Sequence, residues 1–299
     1  MDTNLQINTE IATEIDTERA ESPWKNALHM IVRNKAAMAG LIIIVFLVII
    51  AFFGKLISPY DPYIGELSQS LQPPSHLHWL GTDEQGRDIL SRIVDGTRIS
   101  LRVGVTAVAI ALTIGILFGS IAGYYSGWID MLIMRVMDIM LAFPSLLLAI
   151  AFMSALGKGI ENAIIAISIV TIPEYARIVR GTVLSIKESE YIQAARVIGN
   201  NDAAIIFRHI LPNIISPIIV RATLGISTAI LETSALGFLG LGVQPPLAEW
   251  GSMLGAGRGY FYNAPYIVLF PGLAITITVL AFNLLGDGLR DALDPKSRR

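Results

Sequence analysis

Two ionisable side chains interrupt the otherwise apolar segment 217–236, and they are the first residues of this sequence that could do chemistry. Arg221 and Glu232 are separated by roughly three helical turns. Ionised groups inside an apolar helix are costly, and in membranes they usually face the bundle interior or water. The two residues could line a path for a charged solute, bind polar groups of a neighbouring subunit, or lie near the ends of the segment.

Residues typical of catalytic and metal centres are sparse. The sequence contains no G-x-x-x-x-G-K-[ST], H-E-x-x-H or G-x-S-x-G motif, so it offers no phosphate loop, zinc site or serine nucleophile of these kinds. It has no cysteine, which excludes disulfides and thiolate ligands. His76 and His78 lie near Asp83 and Glu84, but two loop histidines are weak evidence for a metal. We predict no catalytic residue, no metal site and no cofactor in this chain.

The composition indicates the environment in which the chain folds. It is 53% hydrophobic and only 15% charged, with a mean hydropathy of +0.60, whereas a soluble domain usually carries about 25% charged residues. The net charge of −2 provides no basic field for nucleic acid. A bilayer is therefore the expected environment.

Six segments are candidates for membrane crossings. A crossing takes about 20 mostly apolar residues in a helix, because every backbone amide must be bonded internally. Four long runs carry no charge, and the two segments on either side of the polar loop 184–212 are weaker. We predict an all-α membrane protein with six transmembrane helices, near residues 37–57, 103–124, 138–157, 161–180, 213–235 and 265–286.

The remaining segments are more polar. Residues 1–23 are acidic and predict a disordered tail. Residues 24–36 predict an interfacial helix, although an ordinary linker fits as well. The segment 58–98 contains several prolines and predicts a cap at one end of a membrane domain that covers residues 37–299.

The distribution of lysine and arginine predicts the orientation. An even number of crossings places both termini on one side, together with the loop 184–212. Most basic residues near the ends of the predicted helices lie on that side, among them Arg33, Arg135, Arg177, Arg180 and Lys187. We therefore expect both termini in the cytoplasm.

The loop 184–212 is too polar to cross a membrane and too periodic to be disordered. Its apolar positions, including Tyr191 and Val197, predict a short amphipathic helix that Gly199 ends. Asn201 or Asp202 can cap a second helix, and Pro212 predicts a break before the fifth crossing. The result is a small two-helix projection on the cytoplasmic face.

These residues resemble the EAA loop of inner-membrane subunits of ABC importers. The loop matches at Gln193-Ala194-Ala195, Gly199 and Leu211-Pro212, with Gln193 where the motif usually has Glu. Further matches are Leu80-Gly81-Thr82-Asp83, Gly86-Arg87-Asp88, Ser91-Arg92, Ala142-Phe143-Pro144, Tyr175-Ala176-Arg177, Leu236-Gly237-Phe238-Leu239-Gly240-Leu241-Gly242, Pro245-Pro246 and Glu249-Trp250-Gly251. Together they resemble the C-type permease of the dipeptide/oligopeptide branch.

The resemblance implies the type I ABC importer transmembrane fold, in the bacterial plasma (inner) membrane, and a division of labour. A second homologous permease completes the path, two ATP-binding subunits hydrolyse ATP with Mg²⁺, and an extracytoplasmic binding protein delivers di- or oligopeptides. The loop 184–212, called the coupling loop from here on, then transmits motion from the ATPases through its coupling helix. The coupling residues carried over are Glu188, Tyr191, Ile192, Gln193, Ala194, Ala195, Arg196, Gly199 and Asp202.

Three alternatives stay open. A nickel-complex importer of the same family would share the architecture. A self-sufficient secondary transporter belongs to a different class, and such folds often show repeated halves with broken helices, which we do not see. An intramembrane enzyme would need catalytic machinery that this sequence lacks.

Overall fold

The computed structural model describes residues 30–293, where regular structure is helical apart from one bridge between Thr82 and Asp88. The predicted tail (1–23), the first half of the predicted interfacial helix (24–29) and residues 294–299 lie outside the described part. In chain order the main helices are α1 (Lys35–Ile57), α2 (Ile89–Tyr125), α3 (Gly127–Leu141), α4 (Ser145–Leu156), α5 (Ile160–Ile186), α6 (Glu190–Val197), α7 (Asp202–Phe238), α8 (Trp250–Gly257) and α9 (Tyr266–Leu293).

Five helices in this range are long and apolar enough to cross a membrane, namely α1, α2, α5, α7 and α9. The predicted crossing at 138–157 is different, because α3 and α4 meet there at 93°. Phe143 precedes Pro144, and a residue before proline disfavours helical backbone, so the helix ends there. With 12 residues, α4 is about 18 Å long and too short to cross alone.

The bent pair nevertheless follows α5 from one end to the other. Beside the start of α3, Ser126 accepts a hydrogen bond from Lys187 just after α5 (2.6 Å). At the end of α4, the carbonyl of Leu156 accepts one from Asn162 in the first turn of α5 (2.8 Å). Together α3 and α4 are long and apolar enough to form one broken crossing, so the described part has five crossings, or six when this pair is counted as one.

A row of glycines on α2 lets α5 approach closely. Gly115, Gly119 and Gly123 recur at the spacing of one helix face. A Cβ at Gly115 would lie 2.5 Å from the Cβ of Tyr175, and one at Gly119 would lie 2.5 Å from the carbonyl oxygen of Ala176. Small residues allow such contact in membranes, where van der Waals packing joins helices. Tyr175 and Ala176 thus pack directly against the backbone of α2 at these glycines.

The predicted break at Pro212 is wrong, since α7 continues through it from Asp202 to Phe238. Residues Ile205–Ile210 form a π-helical turn, in which Leu211 N–H donates to the carbonyl of Ile206. The wider turn relieves the clash that a proline ring makes with the preceding turn. The second helix of the coupling loop is consequently one body with the crossing that follows.

The segment before α2 ends in a buried polar clasp, formed by His78, Asp83, Arg87, Asp88 and Arg92, each at most 9% exposed. Asp83 accepts a hydrogen bond from Arg87 Nε (2.7 Å), and its carboxylate lies 3.3 Å from Arg92 Nε. Asp88 caps α2 and lies 2.9 Å from His78 Nδ1. Because Asp88 caps α2, this helix already begins at Ile89. The segment before it is therefore shorter than the predicted range 58–98.

Glu249 and Trp250 close the same end of the bundle. The fully buried Glu249 caps α8 by accepting hydrogen bonds from the N–H groups of Gly251 and Ser252, both 2.8 Å. A Cβ at Gly237 would lie 2.3 Å from this carboxylate. Trp250 is also fully buried and donates to the carbonyl of Ile93 (3.1 Å). Gly237 and Gly242 therefore serve close packing, whereas Gly240 lies in open space with φ +74° and permits the turn after α7.

Candidate functional site

The coupling loop is held by an apolar cluster at the end of α2 and α5. Ile192 and Ala195 of α6 are buried against Val183, Ile205 and Ile210. Ile192 is fully buried inside the chain, whereas we predicted it as a contact to a partner. The spacing of Ile192 and Ala195 puts them on one side of α6, and Ile192 therefore fixes the loop to the bundle.

Gly199 ends α6 in the way that the sequence predicts. Its φ is +89°, in the left-handed region that glycine adopts without a steric penalty. The N–H of Asn200 donates to the carbonyl of Ala195 (3.2 Å), and the N–H of Gly199 donates to that of Arg196 (2.9 Å). These two bonds form a Schellman motif. Asn201 then caps α7 by accepting a hydrogen bond from Ala204 N–H (2.7 Å).

Polar contacts tie the loop to the end of α2. The Tyr124 hydroxyl donates to Asp202 (2.8 Å), and the Arg196 guanidinium lies 5.2 Å from the centre of the Tyr124 ring. Lys187 reaches Ser126 on the turn that follows α2. Arg196 and Asp202, predicted as partner contacts, thus also position the loop. We missed Tyr124, which no pattern in the coupling loop itself could indicate.

The exposed side of the loop carries apolar side chains. Val197 is 87% exposed, Ile198 81%, Phe207 64% and Tyr191 46%. The sequence predicts Val197 only as one of the apolar positions of an amphipathic helix, and it does not indicate Ile198 or Phe207 as coupling residues. Exposed apolar groups on a projection that is otherwise well anchored are typical of a protein interface. The apolar pair Val197-Ile198, directly before Gly199, is the sequence feature that could have indicated this exposed surface.

The remaining predicted coupling residues are on this exposed side. Glu188, Gln193 and Ala194 are exposed. Gln193 donates its side-chain amide to the carbonyl of Glu188 (3.0 Å). A glutamate at position 193 could not donate this bond, because a carboxylate has no N–H group. The glutamine therefore adds a bond within the loop that the usual Glu would lack.

Arg221 and Glu232 are not brought together. Arg221 is hydrogen-bonded to Glu174 of α5, and both side chains are partly exposed. Glu232 instead interacts with Ser145 at the N-terminus of α4, where the helix dipole favours a negative charge. Within residues 30–293, Glu232 makes no ion pair. We missed Glu174 because it follows the apolar run that ends at Pro173.

Two arginines near the end of α5 pair with acids of α3. Arg180 donates two hydrogen bonds to Asp130 (2.5 and 2.6 Å), and Arg177 donates one to Asp138 (2.7 Å). The sequence predicts both arginines only as orientation anchors. Their bonds also hold α3 along α5, which fixes the position of the bend at Pro144.

No group of metal-ligating side chains is formed in the described part of the chain. Both ring nitrogens of His78 lie within hydrogen-bond distance of other side chains, Asp88 (2.9 Å) and Gln69 (3.0 Å). His76 is exposed, and Asp83 is engaged by arginines.

Five or six apolar crossings and an anchored helical projection at one end, as described for residues 30–293, define an integral membrane protein with a surface for a partner. A family model described as "Binding-protein-dependent transport system inner membrane component" matches residues 115–299. A second, described as the N-terminal TM domain of oligopeptide transport permease C, matches residues 22–74. The chain therefore belongs to the binding-protein-dependent transport family, as an inner-membrane, multi-pass permease subunit without catalytic activity of its own.

Named relatives agree with this assignment. The chain is 54% identical over 95% of its length to the dipeptide transport system permease protein DppC of Alkalihalophilus pseudofirmus, of which 93% is covered. It is 46% identical to the glutathione transport system permease protein GsiD of Pectobacterium atrosepticum, with 94% of each chain covered. A GsiD of Escherichia coli O157:H7 is 48% identical, with 94% of this chain and 93% of that protein covered.

The fold also has a solved counterpart. A chain from inward facing conformations of the MetNI methionine ABC transporter superimposes with a TM-score of 0.57 at 20% identity, covering 68% of this chain and 96% of that chain. The predicted family and the all-helical ABC importer fold are thereby confirmed. Membership also implies ATPase and binding-protein partners.

Proposed function

We propose that this chain forms half of the translocation path of an ATP-driven importer for short peptides, foremost dipeptides. A second homologous permease supplies the other half, and two ATP-binding subunits dock on the coupling loop. Both termini and this loop then face the cytoplasm, and the extracytoplasmic binding protein docks at the opposite end. The observation that carries the proposal is the exposed apolar group on an anchored loop, formed by Tyr191, Val197, Ile198 and Phe207.

The proposed mechanism is mechanical coupling. Closure of the ATPases around nucleotide pushes on the exposed side of α6, and the buried side transmits the displacement. Ile192 passes it to the cluster at the end of α5, and the continuous helix α7 carries it into the membrane without a hinge at Pro212. The helices then rock and open the path alternately to the two sides.

The substrate class is supported by the relatives, since three of them are named as transporters of dipeptides or of glutathione, which are small peptides. A peptide carries an ammonium group at one end. Glu232 is the better candidate for contact with it, because Arg221 is neutralised by Glu174. An intramembrane acid without an ion-pair partner is by default a functional residue.

Replacing Val197 and Ile198 together by serine tests the coupling. Both side chains are largely exposed, so assembly of the chain itself is unaffected. Each truncated anchor weakens an interface by about 1–2 kcal/mol, and ATP-dependent uptake in proteoliposomes containing the full transporter falls at least about tenfold. The control replaces exposed Val32, which lies before α1 and outside the coupling loop, by serine. Unchanged uptake in the serine variant would refute docking on this surface.

Glu232→Gln tests the path. Uptake of a labelled dipeptide is expected to fall about tenfold, the effect of one lost charge-assisted hydrogen bond, while the ATPase subunits remain bound. Glu161→Gln, an acid whose side chain is 70% exposed at the end of α5, is the control. Competition by glutathione and by a nickel chelate in the same assay separates the substrate classes, and preference for the chelate would overturn the peptide assignment.

A further inference from the structure

A polar cavity of about 670 Å³ lies where α1 ends and α2 begins, at the end of the bundle opposite the coupling loop. Its lining includes two cations, Lys55 and Arg98, and two anions, Asp61 and Asp95. Within residues 30–293 neither cation forms an ion pair. The formal charge of the lining is thus zero, with both signs available to a ligand.

The two acids are held in place by one tyrosine. The Tyr63 hydroxyl donates to Asp95 (2.6 Å), and the Tyr63 N–H donates to Asp61 (2.8 Å). Burial and the neighbouring Asp95 raise the pKa of Tyr63 to about 12, so the phenol stays a hydrogen-bond donor at neutral pH. Each carboxylate keeps further acceptor capacity for a donor inside the cavity.

A mainly apolar groove of about 530 Å³ continues from this cavity along the same two helices, with Phe282 of α9 also in its lining. Its lining also includes Arg102, whose charge is paired with Glu161. The two spaces share Ala51, Phe52 and Arg98 in their linings, and the groove extends to Val48 and Val105. Each of these valines lies about two helical turns, or roughly 10 Å, deeper along its helix than the cation on that helix. Phe52 is 81% exposed, so the groove opens to the surface that faces hydrocarbon.

A polar cavity at the level of the membrane surface, joined to an apolar groove that leads inward, has the shape of one phospholipid. Lysine and arginine near the ends of crossings are placed to meet lipid phosphates. The two acids favour a headgroup that also carries a positive charge and N–H donors. An anionic headgroup would leave them uncompensated.

We propose that this site binds one phospholipid with a primary ammonium headgroup, phosphatidylethanolamine, in the leaflet opposite the coupling loop. Its phosphate contacts Lys55 and Arg98, its ammonium contacts Asp61 and Asp95, and one acyl chain follows the groove past Phe52. A zwitterionic dipeptide has the same two charges but no chain to fill the groove, and so it does not compete for this site.

The test uses the full transporter, purified in detergent with its partner subunits and delipidated, and native mass spectrometry with added phosphatidylethanolamine, phosphatidylglycerol or phosphatidylcholine. We expect one tightly held phosphatidylethanolamine per copy of this chain. The variant Lys55→Gln with Arg98→Gln is expected to bind it at least about tenfold more weakly, since charge-assisted hydrogen bonds are lost. Lys158→Gln with Arg258→Gln removes the same charge at the same end, outside the cavity, and is expected to bind normally.

A second variant tests the headgroup preference independently of overall stability. Asp61→Asn with Asp95→Asn gives the cavity a net positive charge and is expected to shift the preference to phosphatidylglycerol. Equal binding of all three lipids by the unmodified protein, or unchanged binding in the Lys55/Arg98 variant, would overturn the proposal. So would displacement of the bound lipid by alanyl-alanine.

Discussion

At the end of the bundle where α2 begins, buried charges hold the chain together, and at the end where α2 stops, packing of apolar side chains does. Asp83, Arg87 and Arg92 are almost fully buried and bonded to each other in the polar clasp. The coupling loop instead buries Ile192 in an apolar cluster and exposes Val197. Charged networks fix one geometry, because each group needs its partner at a set distance. An apolar cluster has no such directional bonds, and its close packing passes a displacement of α6 on to the neighbouring helices.

The largest loss of stability is expected for Asp83→Ala. This change removes the ion-pair partner of buried Arg92 and leaves Arg87 with only Glu84, at 3.4 Å, and we expect a loss of about 3–5 kcal/mol in unfolding free energy. Thermal unfolding in detergent measures it. The exposed pair of Arg102 and Glu161 provides the control, because Glu161→Ala should change stability by no more than about 0.5 kcal/mol. Similar losses in both variants would contradict the role of the clasp.

At the other end, Ile192→Ala tests apolar anchoring. The truncation leaves a cavity among Val183, Ile205 and Ile210, and we expect a loss of about 2–4 kcal/mol together with reduced ATP-dependent uptake. Val197→Ala, on the exposed side, should reduce uptake with no measurable change in unfolding. If the two variants changed stability equally, the division of α6 into an anchoring and a docking side would be wrong.

Gly199→Ala tests the end of α6, where the expected loss of unfolding free energy is smaller. No atom lies within 4 Å of the added Cβ, but φ is +89°, which an alanine adopts at a cost of about 1 kcal/mol. We expect a decrease of that size in unfolding free energy and a modest loss of coupling between ATP hydrolysis and uptake. Gly259→Ala, also in open space but without a left-handed φ, should be neutral in both assays.

The smallest effect concerns the pH dependence of Glu249, whose pKa is raised above its ordinary 4.5 by complete burial. The folded state therefore binds this proton more tightly than the unfolded state does. Its contribution to stability is full below about pH 4.5 and is lost as the pH rises through the folded pKa. Thermal unfolding measured between about pH 4 and about pH 8 should show this decrease in stability with rising pH. Glu249→Gln should make the stability less dependent on pH. An unchanged slope in that variant would assign the decline to another group.

Much of the architecture was predictable because a bilayer constrains sequence strongly. Uncharged runs near 36–54 and 266–286 had to be helices, since no other single segment satisfies its amides in hydrocarbon. Gly199 indicated the end of α6 by its own backbone chemistry. In contrast, the predicted break at Pro212 is wrong because a π-helical turn accommodates the proline, and the direction that α3 takes along α5 depends on its bonds with Arg177 and Arg180.

Local composition and short motifs are enough to identify a helical membrane permease, to place most of its crossings and to indicate the loop that projects from them. Three further features are set by contacts between distant parts of the chain: the exposed side of α6, the pairing of Arg221 with Glu174, and the cavity shared by Lys55, Asp61 and Arg98. Each of these depends on residues far apart in the chain, and the direction in which a side chain points is fixed by its neighbours in space.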